Sequence, residues 1–291
     1  MIFIISTLQW VLGKTVGTGG FGEIYLATEG GKGEQKVVKI EPHENGPLFV
    51  EMHFYIEAGK PEQLAEYRKS RKGQATPHIP LLRGHGSYLH KGDDKYRFLV
   101  IDRLGRDLDK IFQNGANPLS LAQASSIAVQ AVDSLEYIHS AGYTHNDIKA
   151  ANLLFGVEAD SRDVYLVDFG LCVKYLKSGG HKEYKADPRK AHDGTIEYLS
   201  RDAHIGCTSR RRLELSITTN FKIYYIFFQR PRGARLQPDP LANRNITLGW
   251  SDGSKESGDD EDCLRQGSGE ELKEPPQTGA DLRQILRGTG L

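Results

Sequence analysis

The chain has 291 residues, enough for one large domain or two small ones, and its 38 basic and 38 acidic side chains cancel. A balanced charge excludes a global electrostatic case for nucleic acid or an anionic membrane as the main partner. The three cysteines, Cys172, Cys207 and Cys263, are scattered and form no disulfide framework or metal-type pair, which fits a reducing compartment.

The apolar run at the start, Ile2–Ile5, is too short for a signal-peptide core or a membrane span. It reads as an irregular leader to a soluble chain. Strands are expected near Trp10–Val16, Ile24–Ala27 and Gln35–Ile40. A helix follows across Leu48–Ala58, with Pro47 favouring its first turn and Gly59 and Pro61 ending it. Tyr96–Arg103 is a further apolar strand, and Asp107–Gln113 a short helix. Leu119–Ala141 is the clearest helix: Ile127, Ala131, Leu135 and Ile138 make one apolar stripe, and Gly142 is a natural stop. A loop carries His145–Asn152, and the β-branched Val164–Val167 leads into Asp168. A strand-rich half followed by a helical half is the α+β pattern of a two-lobed domain. From Arg230 to Leu291 the chain is rich in Gly, Pro and charge and reads as disordered.

Four short stretches carry chemistry: GTGGFG at Gly17–Gly22, VVK at Val37–Lys39, HNDIKAAN at His145–Asn152 and DFG at Asp168–Gly170. Glycines at Gly17, Gly19 and Gly22 let a backbone approach a polyphosphate and turn its N–H groups toward it. A strand, not a helix, follows, which argues against a dinucleotide-binding turn; alone, the motif is equally a plain hairpin. Lys39 lies between core residues Val38 and Ile40, so its ammonium needs anionic partners. Phosphates and Glu51, in mid-helix among Phe49, Met52 and Phe54, would supply them; in isolation the two would be an ordinary surface lysine and a solvated glutamate. Asp147 is spaced to accept or orient a hydroxyl proton, Lys149 to hold γ-phosphate charge, and Asn152 to reach Mg²⁺. Asp168, 16 residues beyond Asn152 and at a strand end, is a second hard ligand for Mg²⁺. Ile101–Leu104 is the expected hinge against adenine. With Ile24 beside the glycine loop, Ile101 and Leu104 complete the candidate ATP-binding set.

These residues resemble eukaryotic protein kinases, and within the casein kinase superfamily the vaccinia-related kinase family. The resemblance rests on VVKIEPHENGPLFVEMHFY (Val37–Tyr55), KPEQ (Lys60–Gln63), YRFLVIDRLGRDL (Tyr96–Leu108), LEYIHSAGYTHNDIKAANLL (Leu135–Leu154) and HKEYKADPRKAHDGTIEYLSRDAH (His181–His204). It implies a kinase N-lobe over 9–102 and a partial C-lobe over 103–213, followed by a divergent apolar segment, 214–229, and a tail, 230–291. It implies that Lys39 anchors ATP with Glu51 as its helix partner. Asp147 would be the catalytic aspartate, Lys149 the phosphate-binding lysine, and Asn152 and Asp168 the metal ligands. Ile101 would be the gatekeeper, and Thr195, in the activation segment, would brace Asp147 and Lys149. It further implies a monomeric Ser/Thr kinase using ATP and Mg²⁺ on protein hydroxyls. Such a kinase would reside in the nucleus or cytoplasm and act on chromatin-associated substrates. Asn146 stands where most kinases carry arginine, which suggests activity without activation-loop phosphorylation.

The resemblance fades after Arg212. Family members continue into a long buried helix whose aspartate holds the catalytic loop, yet no aspartate occurs between Arg210 and Gln229. Two readings follow: a Ser/Thr kinase, or a nucleotide-binding or interaction module whose lower lobe does not support catalysis.

Overall fold

The computed structural model describes residues 2–5, 8–18, 22–72, 76–89, 94–113, 121–158, 160–177, 180–181 and 195. The chain opens on a strand, β1 (Ile2–Ile5), where the sequence suggested an irregular leader. Its Ile-Phe-Ile-Ile run favours extended backbone, and it pairs antiparallel with β2 (Leu8–Thr18), Ile2 opposite Val11. Next come β3 (Glu23–Glu29) and β4 (Lys36–Pro42), two helices, α1 (Pro47–Ala58) and α2 (Pro61–Ser70), and then β5 (Leu82–Leu89) and β6 (Lys95–Asp102). These strands form one antiparallel sheet in the order β1-β2-β3-β4-β6-β5.

The period of two in a strand decides what each face of the sheet does. On β4, Val38 and Ile40 join Trp10, Ala27, Phe98 and Val100 in a small core on one face. Val37, Lys39 and Glu41 therefore point to the other face, toward α1. On β6 the matching set is Arg97, Leu99 and Ile101, opposite Glu41, Lys39 and Val37 respectively. The α1 helix buries Leu48, Glu51, Phe54, Tyr55 and Ala58. Helical spacing thus puts a carboxylate in the middle of an apolar stripe.

At the end of β6, Asp102 ties three strands together. Its carboxylate accepts from Arg83 Nε (2.7 Å) and Nη2 (3.1 Å), from Lys36 Nζ (3.0 Å) and from the Leu81 N–H (3.2 Å). Burial alone would raise its pKa, but Arg83 and Lys36 outweigh burial and hold the carboxyl below its ordinary value. A depressed carboxyl stabilises the fold above its unfolded pKa of about 4 and loses that contribution as pH falls through its folded value. Asp102→Asn is therefore expected to melt earlier than wild type at neutral pH. The gap in melting temperature should narrow steadily below about pH 4. A gap independent of pH would show that the charge on Asp102 is not what ties these strands together.

The helical part begins with α3 (Leu108–Gln113) and α4 (Leu121–Ser140). Ile127, Ala131, Leu135 and Ile138 are all buried, as their stripe required. Gly142 follows at φ 84°, a left-handed stop that suits glycine. Short strands come next: β7 (Tyr143–Thr144), β8 (Leu153–Phe155), β9 (Val164–Leu166) and β10 (Val173–Lys174). The β8–β9 and β7–β10 pairs are antiparallel. The large core runs continuously from α1 through α4 to Phe169. Residues 214–229 and 230–291, read as a divergent segment and a tail, lie outside the described residues.

Candidate active site

Antiparallel β8 and β9 bring the ends of two loops together. The Val167 N–H donates to the Asn152 carbonyl at 3.0 Å, so Asp168 is held next to the loop that carries Asp147. His145 completes the link. Its Nε2–H donates to the Val167 carbonyl at 3.0 Å, and its Nδ1 accepts from the Asp147 N–H at 3.2 Å. Those two partners assign the neutral tautomer. Sequence reasoning gave His145 no part in the site; its signal is only its place two residues before Asp147.

Asp147 is 6 % exposed, and both of its carboxylate oxygens are engaged. Oδ2 lies 2.7 Å from Lys149 Nζ and accepts from Asn152 Nδ2 at 3.1 Å. Oδ1 accepts from the Thr195 hydroxyl at 2.8 Å and from its N–H at 3.2 Å. Lys149 Nζ donates to the same hydroxyl at 2.9 Å. The bracing of Asp147 and Lys149 by Thr195 is thus realised in the structure. Asn152 Nδ2 also donates to the Asp147 carbonyl at 2.8 Å, which turns its amide oxygen the other way.

The second cluster sits between β4 and α1. Lys39 Nζ donates to both oxygens of Glu51, at 2.7 and 2.8 Å, and lies 3.9 Å from Asp168 Oδ1. Burial disfavours the charge on Lys39, but Glu51 and Asp168 outweigh it and hold the ammonium above its ordinary pKa. At Glu51 burial wins over Lys39, so the carboxyl sits above its usual range. Burial also opposes the charge on Asp168, but Lys39 outweighs it, and its pKa is lowered. Asp168 has φ 69°, uncommon for a residue with a Cβ, and such backbones cluster at functional sites.

Phe169 locks the two clusters together. It is fully buried, stacked on Phe54 of α1 at 3.8 Å between centroids and set edge-on to Tyr55 and His145 at 5.4 and 5.0 Å. Burying a ring of this size stabilises by about 1.5–3 kcal/mol.

The nucleotide-side candidates lie along the strands. Ile24 of β3 pairs with Gly17 on one side and Lys39 on the other. Ile101 of β6 pairs with Val37, the first residue of the VVK stretch, which shares the face of Lys39. Leu104 follows in the coil after β6, half-buried. That coil is joined to β8, because Gly105 N–H donates to the Phe155 carbonyl at 2.8 Å. A Cβ on Gly22 would lie 2.2 Å from the Ile40 carbonyl oxygen, so packing alone demands glycine there. At Gly17 an added Cβ would make only ordinary contact, 3.5 Å from Ile24. Gly19 lies outside the described residues, as does the activation segment apart from Thr195.

A small antiparallel sheet over a helical part, with a lysine–glutamate pair facing a braced aspartate loop, defines a protein kinase domain. The pattern of the protein kinase domain family matches residues 10–203. Nucleosomal histone kinase 1 of Drosophila melanogaster is 44% identical over 205 residues, covering 70% of this chain and 33% of that protein. Serine/threonine-protein kinase VRK2 of Homo sapiens is 43% identical over 238 residues, covering 80% of this chain and 46% of that protein. The chain thus spans less than half the length of these two relatives. The solved structure of vaccinia related kinase 3 superposes with a TM-score of 0.73 at 26% identity, covering 99% of this chain and 89% of that one. The chain belongs to the protein kinases and, among them, to the vaccinia-related kinase family.

Proposed function

We propose that this chain is a Ser/Thr protein kinase that transfers the γ-phosphate of ATP to protein hydroxyls. The observation that carries the reading is the row Glu51–Lys39–Asp168, with Lys39 bonded to both Glu51 oxygens and 3.9 Å from Asp168. A lysine so held stays charged and aimed, as a phosphate ligand must be.

The residues fit ATP and magnesium on three grounds. Gly17 has no packing reason to be glycine, which leaves close approach of a phosphate as its reason. Asp168 is anionic with its side chain 48% exposed. Asn152 directs its amide oxygen away from Asp147. Asp168 and Asn152 would hold magnesium as hard oxygen donors. When bound, the metal would neutralise charge on the phosphate oxygens.

Asp147 accepts or orients the substrate hydroxyl; the Thr195 hydroxyl already donates to its Oδ1. Lys149, beside it, balances charge on the transferred group. By analogy with the name of nucleosomal histone kinase 1, chromatin proteins are the first substrates to try and the nucleus the first compartment. Among the described residues no helix is long and apolar enough to cross a membrane. We further propose an N-lobe over 9–102 and a partial C-lobe over 103–213; the match to VRK2, over 238 residues, runs past that bound.

The missing aspartate between Arg210 and Gln229 favours a second reading, a nucleotide-binding or interaction module without transfer. Incubation of the purified chain with γ-labelled ATP, magnesium and histone or casein decides between them. Label on serine or threonine supports the kinase. No label, with a thermal shift on ATP–Mg, supports the module, and no shift overturns both.

The two loop glycines give a sharper check. Gly22→Ala is expected to cost about 1–3 kcal/mol of stability by overpacking against β4. Gly17→Ala should change stability by less than about 0.5 kcal/mol yet weaken ATP binding. Equal ATP affinity for Gly17→Ala and wild type in a titration would remove that glycine from the phosphate cradle.

A further inference from the structure

Glu41 belongs to neither cluster of the candidate site, yet it is only 2% exposed. It lies two residues past Lys39 on β4, so both side chains leave the strand on the face toward α1. Its Oε2 accepts from the Leu48 N–H at 2.7 Å. Leu48 is the second residue of α1. The first, Pro47, has no N–H to offer, and Gly46 at the cap position has no side chain. One orphan donor of the first turn, the Leu48 N–H, is therefore satisfied by a carboxylate from the neighbouring strand, not by a local cap. A negative charge there also suits the positive end of the helix dipole.

A second charge grips the same connection. Arg97 is the cross-strand partner of Glu41 on β6 and is 5% exposed. Its guanidinium donates to the His43 carbonyl at 3.1 Å and the Asn45 carbonyl at 2.9 Å. It also lies 4.8 Å from the centroid of the Phe49 ring. Two buried charges on adjacent strands thus hold the entry to α1, and Glu51 follows Leu48 by one turn of that helix. With its N-terminus tied to the strand that carries Lys39, α1 has little freedom to carry Glu51 away.

We propose that Glu41, acting with Arg97, is a positioning residue: it seats α1 on β4 and so sets the Lys39–Glu51 pair. The consequence for ATP rests on the kinase reading above; the seating itself does not. Hydrogen exchange on the full chain tests the seating. Glu41→Ala is expected to speed exchange of the α1 amides about tenfold, the loss of one helix cap, and to leave the α4 amides unchanged. Glu41→Gln keeps an oxygen for the Leu48 N–H and should fall between wild type and Ala. In steady-state transfer assays, Glu41→Ala should raise the KM for ATP and leave the KM for the protein acceptor unchanged. Unaltered α1 exchange in Glu41→Ala overturns the proposal. So does equal acceleration in α1 and α4, which would make Glu41 a contributor to global stability only. If Glu41→Ala does not fold, Glu41→Gln decides: wild-type α1 exchange together with a wild-type KM for ATP overturns it. If the wild-type chain transfers no phosphate, the kinase reading fails, and the exchange experiment still decides the seating.

Discussion

Replacing Asp147 by asparagine is expected to lower phosphoryl transfer by about 10²–10⁴-fold, the usual contribution of a positioned acid–base group. The variant is nearly isosteric, so the effect comes from charge and hydrogen bonding. Both oxygens of Asp147 face donors: Lys149 and Asn152 on Oδ2, Thr195 on Oδ1. An amide has only one oxygen. Whichever way the asparagine turns, its NH₂ meets a donor. A secondary loss of about 1–3 kcal/mol in stability is therefore expected, the cost of leaving a buried polar group unsatisfied. The thermal shift caused by ATP–Mg should survive, because Lys39, Glu51 and Asp168 are untouched. Label transfer measured alongside melting curves with and without nucleotide separates the two effects. A transfer rate within a few-fold of wild type would take Asp147 out of the reaction. Loss of the nucleotide shift as well would mean that the substitution had disturbed the whole cleft.

The juxtaposition of Asp147, Asn152 and Asp168 was legible in the sequence because their spacing is local. Their offsets follow from a long helix, a loop and a strand, each with a strong pattern of its own. Glu51 was legible for a different reason: a carboxylate at a stripe position of an apolar helix demands a buried cation, and Lys39 in a core strand demands an anion. The elements that escaped notice lack such signals. On β5 the inward positions are Leu82, Gly84, Gly86 and Tyr88. Two glycines break the apolar alternation, and a Cβ at Gly84 would make only ordinary contact, 3.4 Å from the Trp10 indole nitrogen. The α2 helix did offer a hint: Pro61 at its first position and Gln63, whose side chain accepts from the Lys60 N–H at 3.1 Å. The Gly59–Pro61 stretch instead read only as the end of α1. Glu41 escaped because its partner, the Leu48 N–H, belongs to the backbone, and no residue type advertises an orphan donor.

Lys39→Met is expected to cost stability as well as ATP binding, and the loss should grow with pH. The substitution leaves Glu51, whose side chain is only 3% exposed, without its cation. Removing one partner of a buried pair typically destabilises by about 3–5 kcal/mol, because the remaining charge is uncompensated. Glu51 can escape part of that cost by binding a proton. Burial already holds its pKa above the ordinary value with Lys39 present, and Asp168 adds to the effect. Without Lys39 the folded pKa rises further, while the unfolded value stays at about 4.3. The folded state then binds more protons than the unfolded state, so stability falls as pH rises from about 4 and levels off only above the new folded pKa. Denaturant melts of wild type and Lys39→Met across that range should diverge as pH increases. Adding Glu51→Gln to Lys39→Met removes the stranded charge and should recover most of the loss at neutral pH without restoring ATP binding. A Lys39→Met deficit that is the same at every pH, or a double variant no more stable than the single one, would show that the pair does not hold α1 to the sheet. Recovery of stability without recovery of binding would assign the lysine two separable tasks, one in the fold and one at the phosphates.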